Sequence, residues 1–160
     1  MNIIVEGPDG SGKSTLVRHI AQHVPLTVQS GEGPPRSQDE IIERAWRYLK
    51  MDNTLFDRHP CISEPIYGMF RDPPSSIPQE YIDHLYRTSP LIIYVHGRAG
   101  PQELKDYDTK AHIDLMGRNE ENIRNAYQLW APGNATVTYS VKGGDLDALT
   151  KLCQEFCRET

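Results

Sequence analysis

Short apolar runs alternate along the chain with stretches whose apolar side chains recur at helical spacing. Five runs have the length and composition of buried strands, at residues 3–5, 26–28, 54–57, 91–95 and 136–140. The amphipathic stretches predict helices over residues 16–24, 37–49, 62–70, 78–86, 120–130 and 145–156, while the polar residues 102–117 have no clear assignment. Because most strands are separated by helices, we expect an α/β fold: a five-stranded parallel sheet flanked by helices on both faces.

The helix predicted over residues 37–49 illustrates how the pattern assigns a core face. Ser37 precedes two acidic residues, Asp39 and Glu40, which is typical of a helix start. The apolar positions of this helix are Ile41, Ile42, Ala45, Trp46 and Leu49. We therefore expect Trp46 to lie in the core, although its ring has the size to stack on a base.

The size and composition of the chain narrow the classes of protein it can belong to. Its 160 residues suit a single domain spanning residues 1–160. The longest apolar runs are too short to cross a bilayer, and no basic region followed by an apolar core precedes the first strand. We therefore expect a cytoplasmic protein that begins at Met1 and has no membrane partner. The formal net charge of −5 disfavours a broad nucleic-acid surface, which requires a basic stripe.

The loop between the first strand and the first helix carries the strongest chemical signal. Residues 7–14, GPDGSGKS, fit the phosphate-loop pattern G-x-x-x-x-G-K-S/T. Glycines allow such a loop to curl so that backbone N–H groups point at phosphate oxygens, and the helix start adds partial positive charge. The pattern predicts binding of ATP and Mg²⁺, with Lys13 at the β- and γ-phosphates and Ser14 on the metal. The predicted nucleotide-binding residues are Gly7, Asp9, Gly10, Ser11, Gly12, Lys13, Ser14 and Thr15.

Three segments follow the carboxyl ends of predicted strands, where ligands bind on parallel sheets. They are the phosphate loop, the pair Asp57 and Arg58 after the third strand, and Arg98 after the fourth. A carboxylate at the place of Asp57 can hold Mg²⁺ or accept a proton, and the planar fork of Arg58 can hold phosphate oxygens. We expect these segments to converge in one cleft, with Lys13, Asp57, Arg58 and Arg98 as catalytic residues and Ser14 and Asp57 as metal ligands.

Two stretches of the sequence resemble thymidylate kinases. Residues 6–15, EGPDGSGKST, are similar to that family's E-G-x-D-G-x-G-K-S/T loop. Asp57, Arg58, Ser63 and Tyr67 resemble its D-R-aromatic-x-x-S-x-x-A-Y segment, and residues 63–68, SEPIYG, also resemble small phage-type kinases related to thymidylate and deoxynucleoside kinases. The resemblance implies the three-layer P-loop kinase fold, a nucleotide substrate and a homodimer.

The family also implies roles for the positions that match it. Asp9 is expected to contact the 3′-hydroxyl of the acceptor sugar, Arg58 the phosphates, and Tyr67 the acceptor base. Arg98 lies where the family's mobile lid begins, which places a lid-like segment at about residues 97–118. Arg118 and Arg124 are weaker candidates for a lid cation, and Glu64 is a candidate second acidic group near the substrate.

This sequence departs from the family pattern in two places. Thymidylate kinases carry an R-E-P-G-G-T-type segment after the second strand, whose arginine approaches the acceptor phosphate. Residues 30–36 here read SGEGPPR, which leaves Arg36 as the candidate replacement. Residues 97–117 also lack the arginine-rich lid pattern and offer Lys105, Lys110 and His112 instead.

Three functions therefore remain open at this point. The first is transfer of the γ-phosphate of MgATP to a deoxynucleoside monophosphate, thymidylate or a modified pyrimidine. The second is phosphorylation of a hydroxyl, in a free deoxynucleoside or in a hydroxymethyl-pyrimidine within DNA, which requires Asp57 or Glu64 to take a proton. The third is a nucleotide-binding switch or P-loop ATPase module without a small-molecule acceptor. The sequence has no N-K-x-D segment, which GTPase switches use to read the base, so a switch of that kind is not favoured.

Overall fold

The computed structural model describes residues 1–99 and 110–159. The strands are β1 (Asn2–Glu6), β2 (Thr27–Gln29), β3 (Thr54–Asp57), β4 (Leu91–Val95) and β5 (Val137–Tyr139). The α-helices are α1 (Lys13–Ala21), α2 (Gln38–Leu49), α3 (Pro60–Tyr67), α4 (Gln79–Arg87), α5 (Lys110–Trp130) and α6 (Leu146–Glu159), and a short 3₁₀ turn, Gly68–Phe70, follows α3.

The five strands form one parallel sheet in the order β2-β3-β1-β4-β5. The central strand, β1, pairs with β3 on one side and with β4 on the other, so that Val5 lies beside both Asp57 and Ile93. The carboxyl ends of the three central strands therefore meet at one edge, where the phosphate loop and the turn after β3 begin. The predicted α/β class, with a parallel sheet flanked by helices, is confirmed.

Side chains of the sheet pack alternately against the helices on its two faces, since successive residues of a strand face opposite sides. On one face Ile3 and Val5 pack with Leu16 and Ile20 of α1 and with residues of α6. On the other face Ile4 and its neighbours pack under α2, α3 and α4, and the two largest fully buried side chains there are Tyr48 and Phe56. Helix α5 closes a third cluster around Tyr67, Tyr94, Ile123 and Tyr127.

Two expectations about helices need correction. Helix α5 begins at Lys110, ten residues before the predicted start at Glu120. The prediction that Trp46 lies in the core is wrong, because this side chain is 48% exposed and packs against Tyr81 on the surface. The face of α2 that turns inward carries Ile41, Arg44, Ala45 and Tyr48.

The lid-like segment expected at about residues 97–118 is described only in part. Residues 100–109, with the candidate Lys105, lie outside the described residues, and residues 110–118 form the first turns of α5. Within the described ranges, none of the helices is both long enough and apolar enough to cross a membrane.

Candidate active site

The phosphate loop connects the end of β1 to the start of α1, as the sequence predicts. Gly10 and Gly12 have φ angles of 78° and 92°, which side chains rarely adopt. A Cβ atom at Gly12 would lie 2.7 Å from the side chain of Val141 and 2.9 Å from that of Ala99. Gly12 is also the N-cap of α1 and provides no side chain to bond the first N–H groups of the helix, which leaves these donors for an anion.

Ser14 and Asp57 lie side by side at the ends of α1 and β3. The Ser14 hydroxyl donates a hydrogen bond of 2.8 Å to Oδ2 of Asp57. A hydroxyl and a carboxylate in this arrangement are oxygen ligands of the kind that Mg²⁺ prefers, so the residues present fit the predicted metal site.

Lys13 is a buried cation among charged neighbours. Its ammonium lies 3.8 Å from Oδ1 of Asp9, and the side chain is 10% exposed. Burial, and after it the nearby Arg58 guanidinium, lower the pKa of Lys13 to about 8. A bound anion would favour the charged form of this buried lysine, as expected for a residue that binds phosphate.

Arg58 crosses from the end of β3 to the phosphate loop. Its Nη2 atom donates to Oδ1 of Asp9 at 2.5 Å, to the Tyr67 hydroxyl at 2.8 Å and to the Gly7 carbonyl at 3.1 Å. Burial opposes ionisation of Asp9, but the charge of Arg58, with His112 and Lys13 behind it, holds the pKa of this carboxyl well below its usual range. The Arg58 Nε atom is buried and has no hydrogen-bond partner among the described residues. Arg58 lines the cleft through the rest of its guanidinium group.

A second group of side chains lines the cleft away from the phosphate loop. Glu64 is 3% exposed and accepts hydrogen bonds from Arg71, through Nε at 2.8 Å and Nη2 at 3.3 Å, and from the Ser75 hydroxyl. Arg44 is 7% exposed and donates to the Gly33 carbonyl at 2.5 Å and to Glu40 at 2.9 Å. The sequence reasoning did not single out Arg44 or Arg71. Arg44 could have been found from its spacing, since it lies three residues after Ile41 on the same helix face.

Other candidate residues lie outside the cleft in this structure. Arg98 forms an ion pair with Glu120 at the surface, and its side chain is 57% exposed. Arg36 is exposed, with its backbone N–H directed at Glu40. Neither side chain lines the cleft, and their contacts with a ligand stay predictions.

Helix α5 approaches the phosphate loop through two side chains. Arg124 donates to the carbonyls of Gly97, at 2.8 Å, and Asp9, at 3.0 Å, so it ties the loop to the end of β4. Nε2 of His112 lies 3.7 Å from Oδ2 of Asp9. No role was assigned to His112 from the sequence, because its contact with Asp9 joins parts of the chain that are far apart in sequence.

The cleft has a volume of about 370 Å³ and joins these groups into one site. Its lining carries five Lys or Arg side chains against four Asp or Glu side chains, although the whole chain carries a charge of −5. The lining includes the predicted residues Asp9, Gly10, Gly12, Lys13, Ser14, Thr15, Asp57, Arg58, Glu64 and Tyr67, and it leaves out Gly7 and Ser11. The lining therefore has a slight excess of cationic side chains where an anionic ligand would lie, in contrast to the acidic chain as a whole.

Comparisons with known proteins agree with the fold. A scan against protein-family models found no match, and a search of the curated proteins also found none. Among solved structures, the chain is similar to the YorR protein from Bacillus subtilis in complex with phosphorylated GDP, with 16% identity, a TM-score of 0.71, and coverage of 99% of this chain and 96% of that one. It is also similar to deoxyadenosine kinase from M. mycoides with the products dCMP and dCDP, with 15% identity, a TM-score of 0.56 and 99% coverage of both chains.

A second structure of the M. mycoides deoxyadenosine kinase, with bound dATP, has 14% identity to this chain and a TM-score of 0.54, and covers 99% of this chain. Similarity at this level of identity is evidence of shared architecture, and function must be argued from the site. The chain has the P-loop kinase fold.

Proposed function

We propose that the protein is an ATP-dependent phosphotransferase that moves the γ-phosphate of MgATP to a deoxynucleoside monophosphate, either thymidylate or a modified pyrimidine nucleotide. The observation that carries the proposal is the arrangement of Arg58, which reaches from the end of β3 to Asp9 and the Gly7 carbonyl of the phosphate loop. It lies between the loop and the cleft lining around Glu64 and Arg71. Donor and acceptor phosphates would meet at this guanidinium.

The reaction requires mostly positioning and neutralisation of charge. Lys13 would hold the β- and γ-phosphate oxygens, while Ser14 and Asp57 would hold Mg²⁺. When bound, Mg²⁺ would supply neutralisation of the negative charge on the triphosphate. The guanidinium of Arg58, which lines the cleft, would hold the transferred group in line with the acceptor oxygen.

The state of the carboxylates supports an acceptor that is itself a phosphate. Four carboxylates line the cleft in the described part of the chain, and each has a polar partner. Asp9 is bound by Arg58, Glu32 by Arg47, Asp57 by the Ser14 hydroxyl, and Glu64 by Arg71. A hydroxyl acceptor needs a carboxylate that can take its proton, but three of these carboxylates are paired with arginines and Asp57 would be occupied by Mg²⁺. A phosphate oxygen is already anionic and needs no such base. The monophosphate acceptor is therefore favoured over a nucleoside or a hydroxymethylated base in DNA.

The extent of the cleft supports a kinase over an ATPase module. Arg44 and Arg71 lie in the same cleft as the phosphate loop, on elements that follow β2 and α3. A protein that only hydrolyses ATP has no need of a cationic wall beyond the triphosphate. These side chains support a second ligand next to ATP.

An acceptor screen tests the proposal directly. The protein is incubated with Mg²⁺ and γ-labelled ATP, and with separate pools of deoxynucleoside monophosphates, deoxynucleosides, and oligonucleotides with normal or hydroxymethylated pyrimidines. We expect label to move to the monophosphates alone, with the pyrimidine nucleotides as the preferred members. Label in nucleosides or oligonucleotides would establish the hydroxyl acceptor instead, and phosphate released at the same rate without any acceptor would establish an ATPase.

A further inference from the structure

Glu6 is a fully buried carboxylate that has no place in the reaction described above. It is the last residue of β1 and has no exposed surface, and it does not line the cleft. Burial raises the pKa of Glu6 to about 7, against the opposing effect of the nearby Arg58 charge. Burying a carboxylate costs free energy unless hydrogen bonds to it compensate for the lost hydration.

Both oxygens of Glu6 accept hydrogen bonds from segments next to the cleft. Oε1 accepts from the backbone N–H of His59 at 2.8 Å, and Oε2 accepts from the Tyr127 hydroxyl at 2.8 Å. Glu6 therefore joins β1, the turn after β3 and helix α5 at one buried point.

The first of these bonds fixes the backbone of Arg58. Arg58 has a φ angle of 71°, in a strained region that non-glycine residues rarely adopt. Its own N–H donates to the Val5 carbonyl at 3.0 Å, and the next N–H, of His59, donates to Glu6. The end of β1 thus holds the amides on both sides of the strained residue.

The second bond fixes the aromatic surface against which Arg58 lies. The Tyr127 ring contacts the Tyr67 ring edge-on, with centroids 6.2 Å apart, and stacks on Tyr94. The guanidinium carbon of Arg58 lies 4.6 Å from the centroid of the Tyr67 ring, and the Tyr67 hydroxyl accepts from Arg58. Glu6 thereby acts on the backbone of Arg58 through the N–H of the next residue, His59, and on the Arg58 side chain through Tyr127 and Tyr67.

We propose that Glu6 is a positioning residue, which holds Arg58 in its left-handed conformation and so directs the guanidinium at the phosphate loop. The inference rests on the proposed function, because it assigns to Arg58 the contact with the transferred phosphate. Glu6 itself touches neither substrate.

A double-mutant cycle distinguishes positioning from a general contribution to the fold. Glu6→Met keeps the length of the side chain and removes both acceptors, and Glu6→Gln keeps an oxygen for the His59 N–H. The acceptor is the monophosphate preferred in the screen. We expect Glu6→Met to lower kcat roughly 10- to 100-fold with a change in KM for MgATP of less than about threefold, and Glu6→Gln to recover most of the loss. In an Arg58→Ala background, Glu6→Met should change kcat less than about threefold, since the residue it positions is gone.

Equal losses of kcat in the two backgrounds, or wild-type kcat in a folded Glu6→Met protein, would overturn the proposal. If Glu6→Met does not fold, Tyr127→Phe can replace it in the double-mutant cycle, because it removes only the hydroxyl that donates to Glu6. It should lower kcat in the wild-type background and leave it unchanged beside Arg58→Ala. Thr150→Val is the matched control, because Thr150 is a buried polar residue on α6, away from the cleft.

A measurement without substrate keeps this test separate from that of the proposed function. In protein labelled at arginine, the NMR signals of the Arg58 guanidinium should shift or broaden in Glu6→Met and stay in place in Thr150→Val. Unchanged Arg58 signals in folded Glu6→Met refute the positioning role. If the wild type transfers phosphate to no acceptor, the proposed function fails, while the NMR comparison still decides what Glu6 does to Arg58.

Discussion

At the scale of single residues, the site is defined by charges that the fold keeps out of water. Lys13 and Glu6 both lie near Arg58. Burial, and after it the Arg58 charge, lowers the pKa of Lys13 to about 8, and burial raises the pKa of Glu6 to about 7. Neither shift favours the charged form, because burial takes both groups out of water. A bound phosphate would favour the charged form of Lys13, whereas Glu6 does not line the cleft.

The pKa of Glu6 predicts how the stability of the protein depends on pH. Glu6 ionises near its ordinary value of 4.5 in the unfolded chain and near 7 in the fold. Between these values the folded state binds more protons than the unfolded state, so this residue makes the fold less stable as pH rises, by up to about 3 kcal/mol. Glu6→Gln removes the titrating group, and we expect this variant to gain stability relative to the wild type between pH 5 and pH 8.

Urea unfolding of the wild type and Glu6→Gln at several pH values measures this difference. Glu155→Gln, an exposed change on α6, serves as the control and should give a constant difference from the wild type across the same range. A constant difference for Glu6→Gln as well would show that Glu6 does not titrate in this window.

At the scale of elements, the wall of the cleft opposite the phosphate loop is built from α3 and the residues after it. The 3₁₀ turn packs backbone against backbone, since a Cβ at Gly68 would lie 2.2 Å from the Ser75 carbonyl oxygen. The Ser75 N–H returns a hydrogen bond to the Gly68 carbonyl at 3.1 Å. This close packing places Arg71 and Ser75 on the Glu64 carboxylate, and Glu64 fixes the guanidinium of Arg71 in the cleft.

Glu64→Gln tests this wall by weakening the hold on Arg71. A neutral amide keeps one acceptor oxygen but loses the charge-assisted pair, so Arg71 should become less ordered. We expect KM for the acceptor to rise about tenfold, while KM for MgATP stays within about twofold of the wild type. Steady-state kinetics with each substrate varied in turn measures the split, and Glu80→Gln, an exposed change on α4, is the control. An equal rise in both KM values would contradict a role confined to the acceptor end.

The elements also show which parts of the structure the sequence can predict. Strand β3 has its predicted bounds, and Ser37 caps α2 as predicted, with its hydroxyl accepting from the Glu40 N–H at 3.1 Å. Local patterns determine both features. The first turns of α5 were missed because they are polar and, among those of its first eight residues whose burial is described, only Leu115 is buried. Their position depends on long-range contacts such as that of His112 with Asp9.

The same distinction holds for the site. The phosphate loop, Asp57 and Arg58 could be found because their motifs follow strand ends, and the structure places their side chains around one cleft. The spacing of Arg44 places it on the apolar face of α2, but its residue type does not predict burial, since charged side chains are rarely buried without partners. Its burial depends on the Gly33 carbonyl and Glu40, and the first of these contacts comes from a loop whose path the sequence does not specify.

At the scale of the whole molecule, an acidic protein holds a cationic cleft at the end of its central strands. The ligand that neutralises this cleft should therefore stabilise the entire fold, because it binds only the folded state. At a concentration of MgATP about 100-fold above Kd, binding contributes about 2.7 kcal/mol, which corresponds to a rise in Tm of roughly 5–10 °C for a chain of this size. Thermal unfolding with and without MgATP measures this rise.

The rise in Tm with MgATP should depend on Lys13 and on Mg²⁺ if ATP binds at the proposed site. Lys13→Met should fold, since it exchanges a buried cation for an apolar side chain of similar length, yet it should lose most of the rise in Tm with MgATP. Lys142→Met, an exposed change after β5, should keep the full rise. Chelation of Mg²⁺ should reduce the rise in the wild type, because Ser14 and Asp57 then hold no metal against the triphosphate. A rise in Tm that is the same in Lys13→Met as in the wild type would place ATP away from the phosphate loop, and the chemistry proposed for the cleft would fail with it.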